Sequence, residues 1–288
     1  MNLFIFGVGF SGIEIAKAAL AKRAAVAGTT RSDAKAARLA ELGMEPFVFD
    51  GASISAAMAG RLKCVTHLLV SIGPYAAGDP ALNALGRDLT PKMPALEWIG
   101  YLSTVGVYGD HDGAWVDEAT ECKPVSDRSI ERLRAEAAWR ALADEISKPL
   151  AILRLSGIYG PGRNTFVNLK DGSAKRIIKP GQYFNRIHVA DISGAVMLLA
   201  RQKADGLFNV TDDEPAPPQD VVTFATKLMG VAPPETLYED ARMSPMAQSF
   251  YGEVKRVSNA KFRKMGYDFL YPNYRAALDD MWQNGRWR

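Results

Sequence analysis

The chain has 288 residues, enough for one large domain or two moderate ones, and its 48% apolar and 23% charged residues are those of an ordinary globular protein. Its 35 basic and 32 acidic residues leave a net charge of +3, too balanced to draw in nucleic acid by charge alone. Apolar runs such as Leu68-Leu69-Val70 fall far short of the ~20 residues that span a bilayer, so neither a nucleic-acid nor a membrane partner is expected.

Met1-Asn2 leads straight into Leu-Phe-Ile-Phe, without a basic leader region or a small-residue cleavage site, and the expected location is cytoplasmic. Short apolar runs at 3–6, 25–29, 46–49, 67–72, 97–103 and 150–155 predict strands, and Ala-rich stretches at 12–23, 33–42, 81–89 and 127–146 predict helices. Gly43 follows the second helix, and Pro46, Pro94 and Pro149 stand at or before strands. Such alternation is the pattern of βαβ units in a parallel sheet. Beyond 156 the texture becomes Gly/Pro-punctuated, with helices at 190–202, 218–229 and 273–284 and a strand at 207–210 that rejoins the first sheet. The expected fold class is α/β: a Rossmann-type doubly wound parallel sheet (1–155 plus 188–210) and a smaller, discontinuous C-terminal α/β substrate domain (156–187 plus 211–288). Cys64 and Cys122 sit in no CxxC or metal-ligand spacing, which predicts two reduced thiols and no metal site.

The stretch FIFGVGFSGIEIAKAAL places Gly7, Gly9 and Gly12 in GxGxxG spacing between an apolar strand and an Ala-rich helix. In a dinucleotide fold the first glycine makes the tight turn, the second lets backbone approach a pyrophosphate, and the third packs helix on strand. Backbone N–H groups at the helix start, around Phe10 and Ser11, then face the anion. An NAD site places an acid about ~20 residues further on to bind the ribose 2′-OH. Here Arg31 stands nineteen residues after Gly12, in GTTRSD, followed by Ser32. A guanidinium suits a 2′-phosphate, so NADP(H) is preferred. The other reading makes Arg31 a solvated loop residue and gives the ribose to Asp33, which leaves NAD(H) open.

At YLSTVGVYGD (101–110) the chain resembles the atypical and extended short-chain dehydrogenase/reductase superfamily, the NAD-dependent epimerases/dehydratases. The likeness continues through LRLSGIYGPG (153–162), RIHVADISGAV (186–196), FNVTDDEP (208–215) and KRVSNAKFRKMGY (255–267). The resemblance implies that Gly7, Gly9 and Gly12 hold pyrophosphate, that Asp50 lies near adenine, and that Ser71 and Gly73 line the ribose side of the cofactor. It implies that Thr104 is the active-site hydroxyl that bonds a substrate carbonyl or alcohol.

The family's Tyr-x-x-x-Lys pair would fall at 128 and 132, where this chain has Arg128 and Arg132, and no tyrosine or lysine occurs between Lys123 and Lys148. Arg132 can still hold ribose or phosphate. Arg128 cannot take tyrosine's place as acid or base, because a guanidinium side chain is a hydrogen-bond donor only. The alternative is that both arginines are surface residues pairing with Glu131 and Glu136. Gly157 stands where many members carry a substrate-facing Asn, and Phe184 where sugar-nucleotide enzymes place an Arg, with Arg186 two residues on. Tyr159 and His188 are the candidates for a substitute proton carrier; the alternative is that each is structural, since apolar neighbours surround both. The expectation is an NAD(P)-binding oxidoreductase acting on a small or nucleotide-linked carbonyl or alcohol. The competing expectation is a non-catalytic NADP(H) sensor or scaffold. The resemblance also allows a homodimer.

Overall fold

The computed structural model describes residues 1–86, 88–238 and 251–288, and the chain divides into two compact units. The first comprises Met1–Thr104, Asp127–Arg154 and Ile192–Phe208. With strands numbered along the whole chain, its sheet contains β1 (Asn2–Phe6), β2 (Ala25–Thr30), β3 (Glu45–Val48), β4 (His67–Val70), β5 (Trp98–Thr104), β7 (Leu150–Leu155) and β11 (Gly206–Val210). The seven strands lie in the order β11-β7-β5-β4-β1-β2-β3. Pairing is parallel from β3 through β5, with registers such as Phe4↔Ala27 and Phe4↔Leu68. The chain winds outward from β1 to β3 and then crosses to β4 on β1's other side. This reversal opens a crevice at the carboxyl ends of β1 and β4, where open α/β sheets bind ligands.

Every predicted strand of the first half lies in this sheet, because strands covered on both faces read as continuous apolar runs. Phe4, Phe6, Leu68, Val70, Ile99 and Tyr101 pack with Trp139 and Leu142 of helix α6 (Asp127–Glu145) in one buried cluster. The preceding helices are α1 (Phe10–Ala21), α2 (Asp33–Glu41), α3 (Ala56–Leu62), α4 (Pro80–Leu85) and α5 (Leu89–Lys92). The single helix expected over 81–89 is thus two short ones, broken at Gly86 with φ +68. Pro80 opens the first of these, and Asp79 Oδ1 accepts the Leu82 N–H at 3.0 Å as its cap. Helix α3 lies in a stretch too short and irregular to stand out in the pattern, and Ser55 Oγ caps it by accepting from Met58 N.

The second unit comprises Val105–Ser126, Leu155–Asp191 and Asn209–Arg288. The expected boundaries are corrected here: 105–126 and 188–191 belong to this unit. The reason is non-local pairing. Strand β6 (Trp115–Val116) runs parallel to β13 (Arg256–Val257), and the His111 and Gly113 N–H groups both donate to the Val254 carbonyl at 3.0 Å. Two further parallel pairs are β8 (Gly157–Tyr159) with β10 (Arg186–His188), and β9 (Arg176–Ile178) with β12 (Thr236–Tyr238). Helices α7 (Thr165–Lys170), α9 (Pro218–Met229) and α11 (Tyr274–Gln283) share a core of Phe166, Val221, Ala225, Tyr274, Leu278 and Trp287. Asn164 and Asn273 cap two of them through side-chain oxygens. Helix α8 (Val189–Gln202) runs across the unit boundary in sequence, and α10 (Ala260–Lys264) is a single short turn region.

Candidate functional site

The glycine loop is held open by its neighbours. Gly7 has φ +88, and a Cβ there would stand 2.7 Å from Ile72 Cγ1 and 3.0 Å from Ile72 N, so only glycine fits. A Cβ on Gly12 would lie 3.1 Å from the Gly7 carbonyl, which shows how closely α1 approaches its own entry loop. Gly9 differs: its Cβ would meet nothing within 4 Å. The middle glycine therefore faces open space at the start of α1, with Phe10 and Ser11 in the first turn.

Two residues that the motif does not contain position this loop. The buried Thr29 Oγ1 accepts the Gly7 N–H at 2.8 Å, and the Thr29 carbonyl accepts the Val8 N–H at 2.8 Å. Gly28 lets β2 approach, since a Cβ there would stand 2.5 Å from Val8 Cγ2 and 2.8 Å from the Ile5 carbonyl. Nothing in local pattern marks either residue, because both act on a loop twenty or more positions earlier. Thr29→Val keeps the shape but strands the Gly7 N–H. Its expected cost is about 1–3 kcal/mol in urea unfolding, with recovery in Thr29→Ser. An unshifted midpoint would assign the loop's support to the backbone bond alone.

Arg31 and Ser32 follow the carboxyl end of β2, both exposed. Arg31 makes no ion pair with the described residues. Ser32 stands at the N-cap position of α2, yet its hydroxyl makes no cap bond and remains available. Asp33 opens α2, also exposed. Asp50 follows β3. Its Oδ1 accepts the Ala52 and Ser53 N–H groups at 2.8 and 3.3 Å, and these bonds hold its carboxyl below the ordinary value. Ser71 follows β4, its N–H bonded to the Phe6 carbonyl at 2.8 Å, and Gly73 is exposed. Gly7 to Gly12, Arg31, Ser32, Asp50, Ser71, Gly73 and Thr104 thus all belong to one edge of the parallel sheet.

Thr104 ends β5, and Arg128 and Arg132 lie on the first turns of α6. Arg128 is exposed. Arg132 is turned back onto the sheet: its Nη1 donates to the Leu102 carbonyl at 2.7 Å, its guanidinium lies 5.7 Å from the Tyr101 ring, and a Cβ on Gly73 would stand 3.5 Å from its Nη2. The structure therefore brings Arg132 and Gly73 together. Pairing of the arginines with Glu136 is corrected: Glu136, one turn further along α6, is 4% exposed and bound to the equally buried Arg154 at 2.7 Å. Arg154 Nε makes further contacts at 3.2 and 3.3 Å, and Ser103 Oγ donates to Glu136 Oε1. Sequence reading had no signal for this buried anchor, because a glutamate on a helix is ordinarily solvated.

Tyr159 and His188 belong to the second unit, opposite each other in the β8–β10 register. Their rings meet edge to face at 5.3 Å, and His188 also packs against Tyr271 at 4.2 Å. Burial pushes the Tyr159 phenol far above its ordinary value, so near neutrality it can donate a proton bond but not serve as a base. Burial pushes His188 down to about 4, and its Nδ1 accepts the Ala190 N–H at 3.2 Å, so the ring is neutral at pH 7. Among the described residues, no group of three or more His, Cys, Asp or Glu side chains could hold a metal ion, and no helix is long and apolar enough to cross a membrane.

No family model matches the chain. It is 40% identical to a functionally unknown conserved protein from Silicibacter pomeroyi, whose solved structure aligns over 99% of both chains with a TM-score of 0.89. It is 28% identical to Protein YeeZ of Escherichia coli K12, over 93% of this chain and 96% of that one. Two more distant solved structures share the fold. One is the human epimerase family protein SDR39U1 with NADPH, at 17% identity, covering 99% of this chain and 100% of that one, TM-score 0.74. The other is the Bacillus anthracis dTDP-glucose 4,6-dehydratase with NAD, at 16% identity, covering 98% and 96%, TM-score 0.79.

Proposed function

We propose, for a chain that belongs to the family of the Silicibacter pomeroyi protein and has the fold of the extended short-chain dehydrogenases/reductases, that unit 1 binds a nicotinamide dinucleotide, NADP(H) before NAD(H). The protein is then an oxidoreductase of epimerase/dehydratase type acting on a small or nucleotide-linked carbonyl or alcohol. The observation that carries this reading is the open space at Gly9, between Gly7, which neighbouring atoms and a positive φ force to be glycine, and Gly12, whose Cβ would stand 3.1 Å from the Gly7 carbonyl. Such a cradle suits a pyrophosphate held by backbone N–H groups.

Gly7, Gly9 and Gly12 with Phe10 and Ser11 hold the pyrophosphate, and Arg31 with the uncommitted Ser32 hydroxyl holds a 2′-phosphate. Asp50 lies on the adenine side, while Ser71, Gly73 and Arg132 hold the nicotinamide ribose. Bound nicotinamide supplies or accepts the hydride. Thr104 orients the substrate oxygen through its hydroxyl. Arg128 stabilises negative charge developing on that oxygen through its guanidinium donors instead of moving a proton.

Titration calorimetry tests the cofactor assignment. NADPH is expected to bind more tightly than NADH, and Arg31→Glu is expected to weaken NADPH by about tenfold to a hundredfold while changing NADH little. Equal affinities in the wild type would remove the preference for the phosphorylated coenzyme, and no binding of either would remove the function altogether.

The resemblance supports a sensor reading as well, since it would put the proton-transfer pair at 128 and 132, where this chain has Arg128 and Arg132, and Arg132 Nη1 donates to the Leu102 carbonyl. A preparation that binds NADPH yet oxidises none across a panel of aldehydes, ketones and nucleotide sugars would establish that reading.

A further inference from the structure

Reduction of a carbonyl requires a proton for the oxygen as well as a hydride for the carbon, and Arg128 offers only hydrogen-bond donors. Imidazole, thiol and phenol groups are neutral side chains that can give a proton and take it back. The first unit contains four of them, Cys64, His67, Tyr75 and Tyr101. Two lie at the amino end of the sheet. His67 opens β4 with its ring held by Thr66 Oγ1 and the Ala200 carbonyl at 2.8 and 3.2 Å, and the Cys64 carbonyl accepts the Asn2 side chain at the start of β1. Tyr101 is fully buried within β5, and burial holds its phenol far above the ordinary value. Tyr75 alone follows the carboxyl end of a strand, just beyond β4, on the edge where open α/β sheets bind ligands.

The chain holds this tyrosine on a fixed support. The Tyr75 N–H donates to the Gly78 carbonyl at 3.2 Å and the Gly78 N–H to the Tyr75 carbonyl at 2.7 Å, which closes a tight turn over Ala76 and Ala77. Gly78 has φ +105, a conformation that suits glycine. Asn83 Nδ2 donates to the Ala77 carbonyl at 3.0 Å, and Asp79, the cap of α4, fixes the far end of the turn. The near end passes α6, since a Cβ on Gly73 would stand 3.5 Å from Arg132 Nη2. Despite this anchoring the Tyr75 side chain is 46% exposed, and its hydroxyl makes no hydrogen bond among the described residues. A pinned turn that leaves a phenol unspent at the ligand edge presents that phenol to whatever binds there. Arg132 has committed only Nη1, to the Leu102 carbonyl and the Tyr101 hydroxyl, so Nε and Nη2 can offset negative charge that arises beside Gly73.

We propose that Tyr75 is the proton donor of the reaction. As the substrate's carbonyl carbon takes up hydride, the Tyr75 O–H bond breaks and the proton passes to the carbonyl oxygen. The products are an alcohol and a phenolate, and the phenolate recovers a proton from solvent. A reduced nicotinamide dinucleotide, when bound, supplies the hydride and leaves oxidised. This adds the catalytic acid to the oxidoreductase reading and rests on it.

Tyr75→Phe keeps the ring and every backbone bond of the turn, and two measurements on it test the assignment. The first is NADPH oxidation across the panel of aldehydes, ketones and nucleotide sugars. On any substrate that the wild type reduces, kcat of Tyr75→Phe is expected to fall by about 10²–10⁴-fold, with KM and calorimetric NADPH affinity nearly unchanged. The second is nitration of the wild type by tetranitromethane, mapped by peptide mass spectrometry, in which saturating NADP+ is expected to shield Tyr75 several-fold. A kcat for Tyr75→Phe within about threefold of wild type, or equal nitration with and without NADP+, overturns the proposal. Activity retained in Tyr75→Phe defeats this inference alone. A wild type that binds NADPH and reduces nothing defeats the reading beneath it, and this proposal with it.

Discussion

Gly9→Ala is expected to weaken dinucleotide binding by more than about tenfold while leaving the fold almost untouched. Gly9 has φ −91 and ψ −153, an extended conformation that alanine adopts without strain, and its added methyl would meet no protein atom within 4 Å. The methyl therefore occupies the space that a pyrophosphate needs, and NADPH affinity should fall by more than about tenfold. Gly7→Ala is the contrasting variant. There a positive φ and a 2.7 Å approach to Ile72 must both be relieved, so about 1–3 kcal/mol of stability should go with the binding. Thermal melts and calorimetry on the two variants separate a ligand seat from a structural turn. Wild-type NADPH affinity in Gly9→Ala would show that the open space is not the seat, and the proposed function would go with it.

The largest stability loss is expected at Arg154→Met. Glu136 is buried, and its partners are Arg154 and the Ser103 hydroxyl, so removal of the guanidinium leaves a desolvated carboxylate. Breaking such a pair typically costs about 3–5 kcal/mol, a large share of a domain's net stability. Replacing both members, Glu136→Leu with Arg154→Met, removes the stranded charge along with its partner and should recover most of that loss. Urea unfolding of the single and double variants measures both. A single variant within about 1 kcal/mol of wild type would mean that water reaches Glu136 in solution. The consequence extends past stability, because Glu136 sits one turn beyond Arg132 on α6. The buried pair fixes the helix against β5 and β7, and with it the seat from which Arg132 reaches the β4 loop.

The contrast between the halves of the chain shows what local pattern carries. The strands of the first sheet were legible because each is a continuous apolar run between Ala-rich helices, as in Leu3–Phe6 and His67–Val70. In the second unit the strands are two or three residues long and owe their existence to distant partners. Trp115–Val116 pairs with Arg256–Val257 some 140 positions away (256 − 115 = 141). Two residues of apolar sequence carry no period, so 105–126 read as a continuation of the first domain. The same limit applies to side chains: Glu136 looks like any solvated helix glutamate until a strand arginine eighteen positions later is packed over it.

Sequence by itself determined the doubly wound sheet, the glycine spacing after β1, the arginine after β2 and the two arginines that open α6. Each of these is written in spacing or residue type within one βα unit, and spacing survives folding unchanged. Tertiary structure alone decided that Thr29 and Gly28 support the cradle and that Glu136 is spent on Arg154. Those outcomes depend on which groups lose water together, and desolvation is a property of neighbours in space that no stretch of chain records.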